Sequence, residues 1–168
     1  MDLSKITPGD NIPDEINVII DISANSTPIK YQIDEENGFL AVDRFIPVSM
    51  HYPCNYGFIP HIKGGDGDYM DVLVITRYPI VPQSVIAVRP VGVLVMSDEE
   101  GEDVKILSVP TVKVDPYYEH VKNYTDLPSI QIKQIEHFFT RYKDLESDKH
   151  VNIEGWKDAD FAKSLIKK

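Results

Sequence analysis

The chain has 168 residues, is 42% hydrophobic and carries a formal net charge of -10 from 27 acidic and 17 basic residues. That length supports one domain spanning residues 1–168 and is short for two. The acidic balance opposes nonspecific attraction to nucleic acid or an anionic membrane, and no apolar run approaches a membrane span.

The start, Met1-Asp2-Leu3-Ser4-Lys5, lacks the apolar core of a secretory signal. After a Pro-rich lead-in, Ile16–Ile22 is a largely apolar strand candidate, and Asn25-Ser26-Thr27-Pro28 turns the chain. Ile29–Ile33 alternates, with Ile29, Tyr31 and Ile33 on one face and Lys30 and Gln32 on the other. Glu36-Asn37-Gly38 reads as a hairpin turn into a strand over Phe39–Phe45. Lys30 and Arg44 thus sit on adjacent strands, where the ordinary role of each is a solvated cation. Residues 47–61 hold three prolines and three aromatic residues and predict an irregular segment held by ring packing. Within it, Tyr52 and Tyr56 can be core or can lend hydroxyls to a ligand. Cys54 is the sole cysteine, so no internal disulfide is possible and a reducing cytoplasm is the expected location. It reads as a small packed side chain rather than a nucleophile, because no histidine adjoins it.

The stretch Asp66-Gly67-Asp68-Tyr69-Met70-Asp71 follows, between Gly64-Gly65 and Val72-Leu73-Val74-Ile75. Three carboxylates in six residues repel one another unless a cation sits among them. Oxygen donors suit a hard divalent ion such as Mg²⁺, Mn²⁺ or Ca²⁺, and the alternative is an acidic surface turn. A calcium-binding EF-hand loop starting at Asp66 fails, because Asp71 stands at the position of its Gly and Arg77 at that of its Glu. An aspartate nucleophile fails too, since Ile62-Lys63-Gly64-Gly65 is no apolar strand.

Val85–Met96 is long and β-rich, with a bulge or bend expected at Pro90 and Gly92. Acids return over Asp98–Asp103 and feed a strand at Val104–Val109 that carries Lys105. Two acidic turns, each anchored to a strand, can converge at one end of a barrel. Ile135, Phe138, Phe139 and Tyr142 fall on one face of a helix over Pro128–Lys143, with Asp126 as its expected cap. Lys143 closes that helix at the negative end of its dipole. Asp158–Ile166 is a second, shorter amphipathic helix. The five histidines show no metal-ligand spacing, and no Ser-His-Asp, Cys-His or phosphate-cradling Gly-rich arrangement is present.

Taken in order, these blocks resemble a soluble family I inorganic pyrophosphatase of the bacterial type. The blocks are Pro28-Ile29-Lys30-Tyr31, Val42-Asp43-Arg44-Phe45, Tyr52 to Gly57, Asp66 to Val72, Arg89-Pro90-Val91-Gly92, Asp98 to Lys105, His137-Phe138-Phe139, Tyr142 to Leu145 and Glu154-Gly155-Trp156. The resemblance implies an α+β, mainly β fold: a five-stranded, OB-like closed barrel with flanking C-terminal helices. It also implies Mg²⁺-dependent hydrolysis of pyrophosphate to two orthophosphates, several Mg²⁺ per site with Mn²⁺ as a possible substitute, and a homohexamer. By the same resemblance Asp66, Asp71, Asp98 and Asp103 are metal ligands, and Asp68 is the base for the attacking water. Lys30, Arg44, Tyr56, Lys105, Tyr142 and Lys143 then bind phosphate, with Tyr52 beside them.

General chemistry agrees with those roles. Pyrophosphate is strongly anionic, so a nucleophile is repelled until cations spread that charge, and divalent ions acidify water near neutrality. Three departures from the family pattern stand out. Asp21 replaces Glu and keeps the charge on a shorter arm, Gln32 replaces Glu and removes a negative charge, and Tyr69 stands where Pro or Glu is usual. The alternative is a non-catalytic OB-like module that binds metal or phosphate.

Overall fold

The computed structural model describes residues 1–65, 67–99 and 101–166. Five strands close on themselves: β1 (Ile16–Ile22), β4 (Asn55–Lys63), β5 (Tyr69–Val74), β8 (Lys105–Pro110) and β6 (Val85–Asp98). β1 pairs with both β4 and β6, and that second pairing shuts the barrel. All neighbours run antiparallel except β5 and β8, which are parallel with Val72 opposite Ile106. Two short additions extend the sheet, β7 (Gly101–Glu102) and β9 (Val151–Lys157), both paired with β6. A separate hairpin, β2 (Ile29–Ile33) and β3 (Leu40–Phe45), stands beside the barrel with Lys30 opposite Arg44.

The expected bulge in β6 occurs where the register slips between Pro90 and Gly92. Proline cannot donate to a ladder, and glycine tolerates the close approach of Tyr124 Cβ there. The expectation of an irregular segment over 47–61 is half corrected. Asn55 onward is strand β4, paired on both sides. Gly57 makes this possible, since a Cβ there would lie 1.9 Å from Ile19 O across the β1–β4 pairing. Ring packing does hold the segment: Tyr52 lies 4.8 Å from Phe138 and 5.8 Å from Tyr56, centroid to centroid.

Helix α1 (Ser129–Arg141) buries Ile135, Phe138 and Phe139 against the barrel, and Tyr142 at its C-cap joins the same cluster. The cap differs from expectation. Pro128 holds the N-cap position, whereas Asp126 accepts from the Lys122 and Asn123 N–H groups in the preceding turn. Asp158 caps α2 (Ala159–Leu165) by accepting from Phe161 N, and Ala162 packs under it with Ile166. Among the described residues, no helix is long and apolar enough to cross a membrane.

Candidate active site

A cleft of about 320 Å³ opens between the β2–β3 hairpin, one end of the barrel and the C-terminal end of α1. Every sequence-predicted site residue among the described ones lines it: Lys30, Arg44, Tyr56, Asp68, Asp71, Asp98, Asp103, Lys105, Tyr142 and Lys143. Tyr52 lines it as well. Asp66, a predicted metal ligand, lies outside the described residues.

The floor is set by the parallel pair β5–β8. Asp71 on β5 and Lys105 on β8 come together, and Lys105 Nζ donates to Asp71 Oδ2 at 2.5 Å and also to Asp103. Tyr56 on β4 donates its hydroxyl to the same Asp71 oxygen at 2.5 Å. Three chain segments thus converge on one carboxylate. Burial disfavours the Lys105 ammonium, yet Asp71 and Asp103 outweigh it and hold its pKa well above the ordinary lysine value. Burial first, then the charges of Asp71 and Asp103, push the Tyr56 phenol up, so it stays a neutral donor.

The rear wall comes from α1. Lys143, just past the helix, donates to Asp98 Oδ2 at 2.7 Å and to Glu99 Oε1 at 3.1 Å. Its expected place at the helix end therefore also serves as a bridge to the end of β6. Burial pushes the Tyr142 phenol up against the pull of Lys105 and Lys143. On the opposite side, Asp43 lies 3.3 Å from Lys30 Nζ and 2.7 Å from Arg44 Nη1. Burial raises Asp43, but the two cations outweigh it and hold its carboxyl below the usual range.

Four further groups belong to the site without having been singled out in the sequence: Asp43, Glu99, Glu146 and Lys149. Glu146 Oε2 lies 2.9 Å from Arg44 Nε, and Lys149 Nζ stands 3.4 Å from Glu146 and 3.8 Å from Glu99. Glu146 and Lys149 sit in an ordinary polar turn after α1, where an i, i+3 charge pair carries no site signal. Asp43 and Glu99 were each visible beside a predicted residue.

Asp21 is among the acids that line the cleft. It is 4% exposed, and its Oδ1 has no hydrogen-bond partner. Burial, then the Asp71 charge, push it up to about 8. That favours its protonated form in the metal-free cleft, and a cation beside Asp71 would offset the second of these causes. Gln32 lines the cleft from an exposed position on β2.

The donor set tests whether a metal fits. Asp71, Asp98, Asp103 and Asp68 present only oxygen, and the buried Asp21 Oδ1 is left without a partner, so the chemistry suits a hard divalent cation. Among the described residues no three such side chains close around one point, and Lys105 and Lys143 donate to carboxylate oxygens of Asp71 and Asp98. Acids and cations interleave along the cleft, Lys105 with Asp71 and Asp103, Lys143 with Asp98, and Lys30 and Arg44 with Asp43, an arrangement that suits a small polyanion together with cations.

Comparison with known proteins gives one consistent answer. The family model for inorganic pyrophosphatase matches residues 18–168. An inorganic pyrophosphatase of Pseudomonas aeruginosa is 53% identical over 168 residues, which is 100% of this chain and 96% of the relative. A solved inorganic phosphatase from Anaplasma phagocytophilum superposes with a TM-score of 0.95 at 57% identity, covering 96% of this chain and 95% of the other. The inorganic pyrophosphatase of Thermus thermophilus does so with a TM-score of 0.92 at 35% identity, covering 99% and 95%.

Proposed function

The chain belongs to the inorganic pyrophosphatase family and hydrolyses pyrophosphate to two orthophosphates, and we propose that the cleft described above is where it does so, with Mg²⁺. The observation that carries this reading is the gathering of Lys30, Arg44, Lys105 and Lys143 with Asp68, Asp71, Asp98 and Asp103 in one cleft. The non-catalytic alternative is not favoured, because curated relatives across the whole chain are pyrophosphatases.

In this reading Asp71, Asp98 and Asp103 would hold the divalent cations, together with Asp66, which lies outside the described residues. A divalent cation there supplies charge neutralisation and acidifies water. Lys30 and Arg44, opposite each other on the hairpin, orient one phosphate, and Lys143, Tyr142 and Lys105 take the other. Asp68 accepts a proton from the attacking water as its oxygen bonds to one phosphorus. The bridging P–O bond breaks, and Lys30, Arg44 and Lys143 spread the charge on the departing phosphate. Tyr56 keeps Asp71 fixed by donating to it. Mn²⁺ as a substitute ion, a cytoplasmic location and a homohexamer go with the same reading.

The test is phosphate release from pyrophosphate by the wild type and Asp68→Asn, with Mg²⁺ and with a chelator. The expected result is release that needs both Mg²⁺ and Asp68. Turnover by Asp68→Asn at the wild-type rate would overturn the base assignment.

A further inference from the structure

Tyr69 follows Asp68 directly, opens β5 and lines the cleft beside it. It faces Lys63 across the first rung of the β4–β5 ladder. Beyond that rung, Gly64 N donates to Asp68 O at 2.8 Å and closes the turn. The place where Asp68 leaves the turn is therefore set by the rung that Tyr69 begins.

Its ring is held by three neighbours. It stacks on Phe58 at 5.1 Å with 10° between the planes, and it meets His61 edge-on at 6.2 Å. Lys63 Nζ lies 3.8 Å from its centroid and donates to Glu35 Oε2 at 2.9 Å. Burial works against that ammonium, but its hydrogen bond and ion pair with Glu35 outweigh it and hold its pKa above the ordinary lysine value. Glu35 belongs to the turn of the β2–β3 hairpin. That hairpin forms its own sheet, and it rests on the barrel through an apolar cluster of Leu3, Ile19, Ile33 and Phe58, with Leu40 and Tyr69 packed against it. A single ring thus touches both the turn that carries Asp68 and the support of the hairpin that carries Lys30 and Arg44.

We propose that Tyr69 is a positioning residue, whose ring fixes the Asp68 carboxylate relative to the hairpin through Phe58 and the Lys63–Glu35 pair. The inference rests on the reading of Asp68 as the base. The ring makes every one of these contacts, so phenylalanine reproduces them, whereas leucine fills the space but neither stacks nor attracts the ammonium. A reacting group displaced by about 1 Å can lose up to about a hundredfold in rate.

The experiment measures kcat and KM for pyrophosphate with Mg²⁺ for Tyr69→Phe, Tyr69→Leu, Tyr69→Ala and Asp68→Asn, with melting curves alongside. Tyr69→Leu is expected to lose on the order of tenfold in kcat with KM within about twofold, and Tyr69→Phe to recover the wild-type values. Lys63→Met should fall between them. A loss confined to KM, an equal loss in Tyr69→Phe, or full kcat in a folded Tyr69→Leu would each overturn the proposal. If Tyr69→Ala unfolds, the Leu and Phe variants decide. Asp68→Asn separates the two readings. Inactive Asp68→Asn with unaffected Tyr69→Leu removes only the positioning role, whereas active Asp68→Asn removes the base and the positioning role with it.

Discussion

Lys143 Nζ donates to Asp98 Oδ2 at 2.7 Å, joining the end of α1 to the end of β6 across 45 residues of chain. The lysine side chain is 6% exposed and the aspartate 8%, so neither charge has ready access to water as a substitute partner. Lys143→Met should leave Asp98 without this donor and lower stability by about 1–3 kcal/mol, read by urea denaturation. The same variant should raise KM for pyrophosphate, because the ammonium also faces the cleft. An unchanged KM would detach Lys143 from substrate binding and leave it a structural bridge.

Gly57 tests the barrel's closure. A methyl group there meets Ile19 O at 1.9 Å and Ile20 Cα at 2.9 Å, both backbone atoms that move only with β1. Gly57→Ala should cost about 3 kcal/mol or more, since overpacking against a strand cannot relax by turning a side chain. Denaturant midpoints of the two proteins measure it directly, and a midpoint equal to wild type would mean that β1 and β4 separate at little cost.

Cys54 gives a dependence on alkaline pH. Burial pushes its thiol up to about 12 from an ordinary 9.0. Above pH 9 the unfolded thiol loses its proton while the folded one keeps it, so the native state binds more protons. Stability then falls as pH rises from about 9 to 12, by up to about 1.4 kcal/mol per pH unit from this one group. Cys54→Ala should lack that component, so the two stability curves converge towards high pH relative to their separation at pH 7. A thiol reagent should label native Cys54 only as fast as the chain opens.

Gln32 lines the cleft without a carboxylate. Gln32→Glu adds a negative charge beside the cations and should reduce the Mg²⁺ needed for half-maximal rate. Titrating Mg²⁺ in both proteins checks this, and overlapping titrations would place Gln32 outside the reach of the ions.

Local pattern was enough for the elements whose residues alternate or repeat by themselves. Ile16–Ile22 and Ile29–Ile33 were predicted as they occur, and the Ile135, Phe138, Phe139 face of α1 is buried as its spacing requires. The strand over Asn55–Lys63 was hidden, because Gly57 and Pro60 read as breakers until β1 is placed against the glycine. β9 was hidden in the same way, with Gly155 at φ 117 where its register slips against β6.

By itself, then, the sequence determined the family, since the acids, cations and tyrosines stand in blocks whose order is distinctive of it, and it nominated the residues proposed for the chemistry. Only the tertiary structure decided what those groups are to one another. Lys105 serves two aspartates because β5 and β8 run side by side, and Lys143 reaches Asp98 because α1 packs across the barrel's end. Glu146 meets Arg44, and burial beside Asp71 raises the Asp21 pKa, for the same reason. Charge and pKa depend on distance and burial, and neither is a property of a residue until the chain has closed around it.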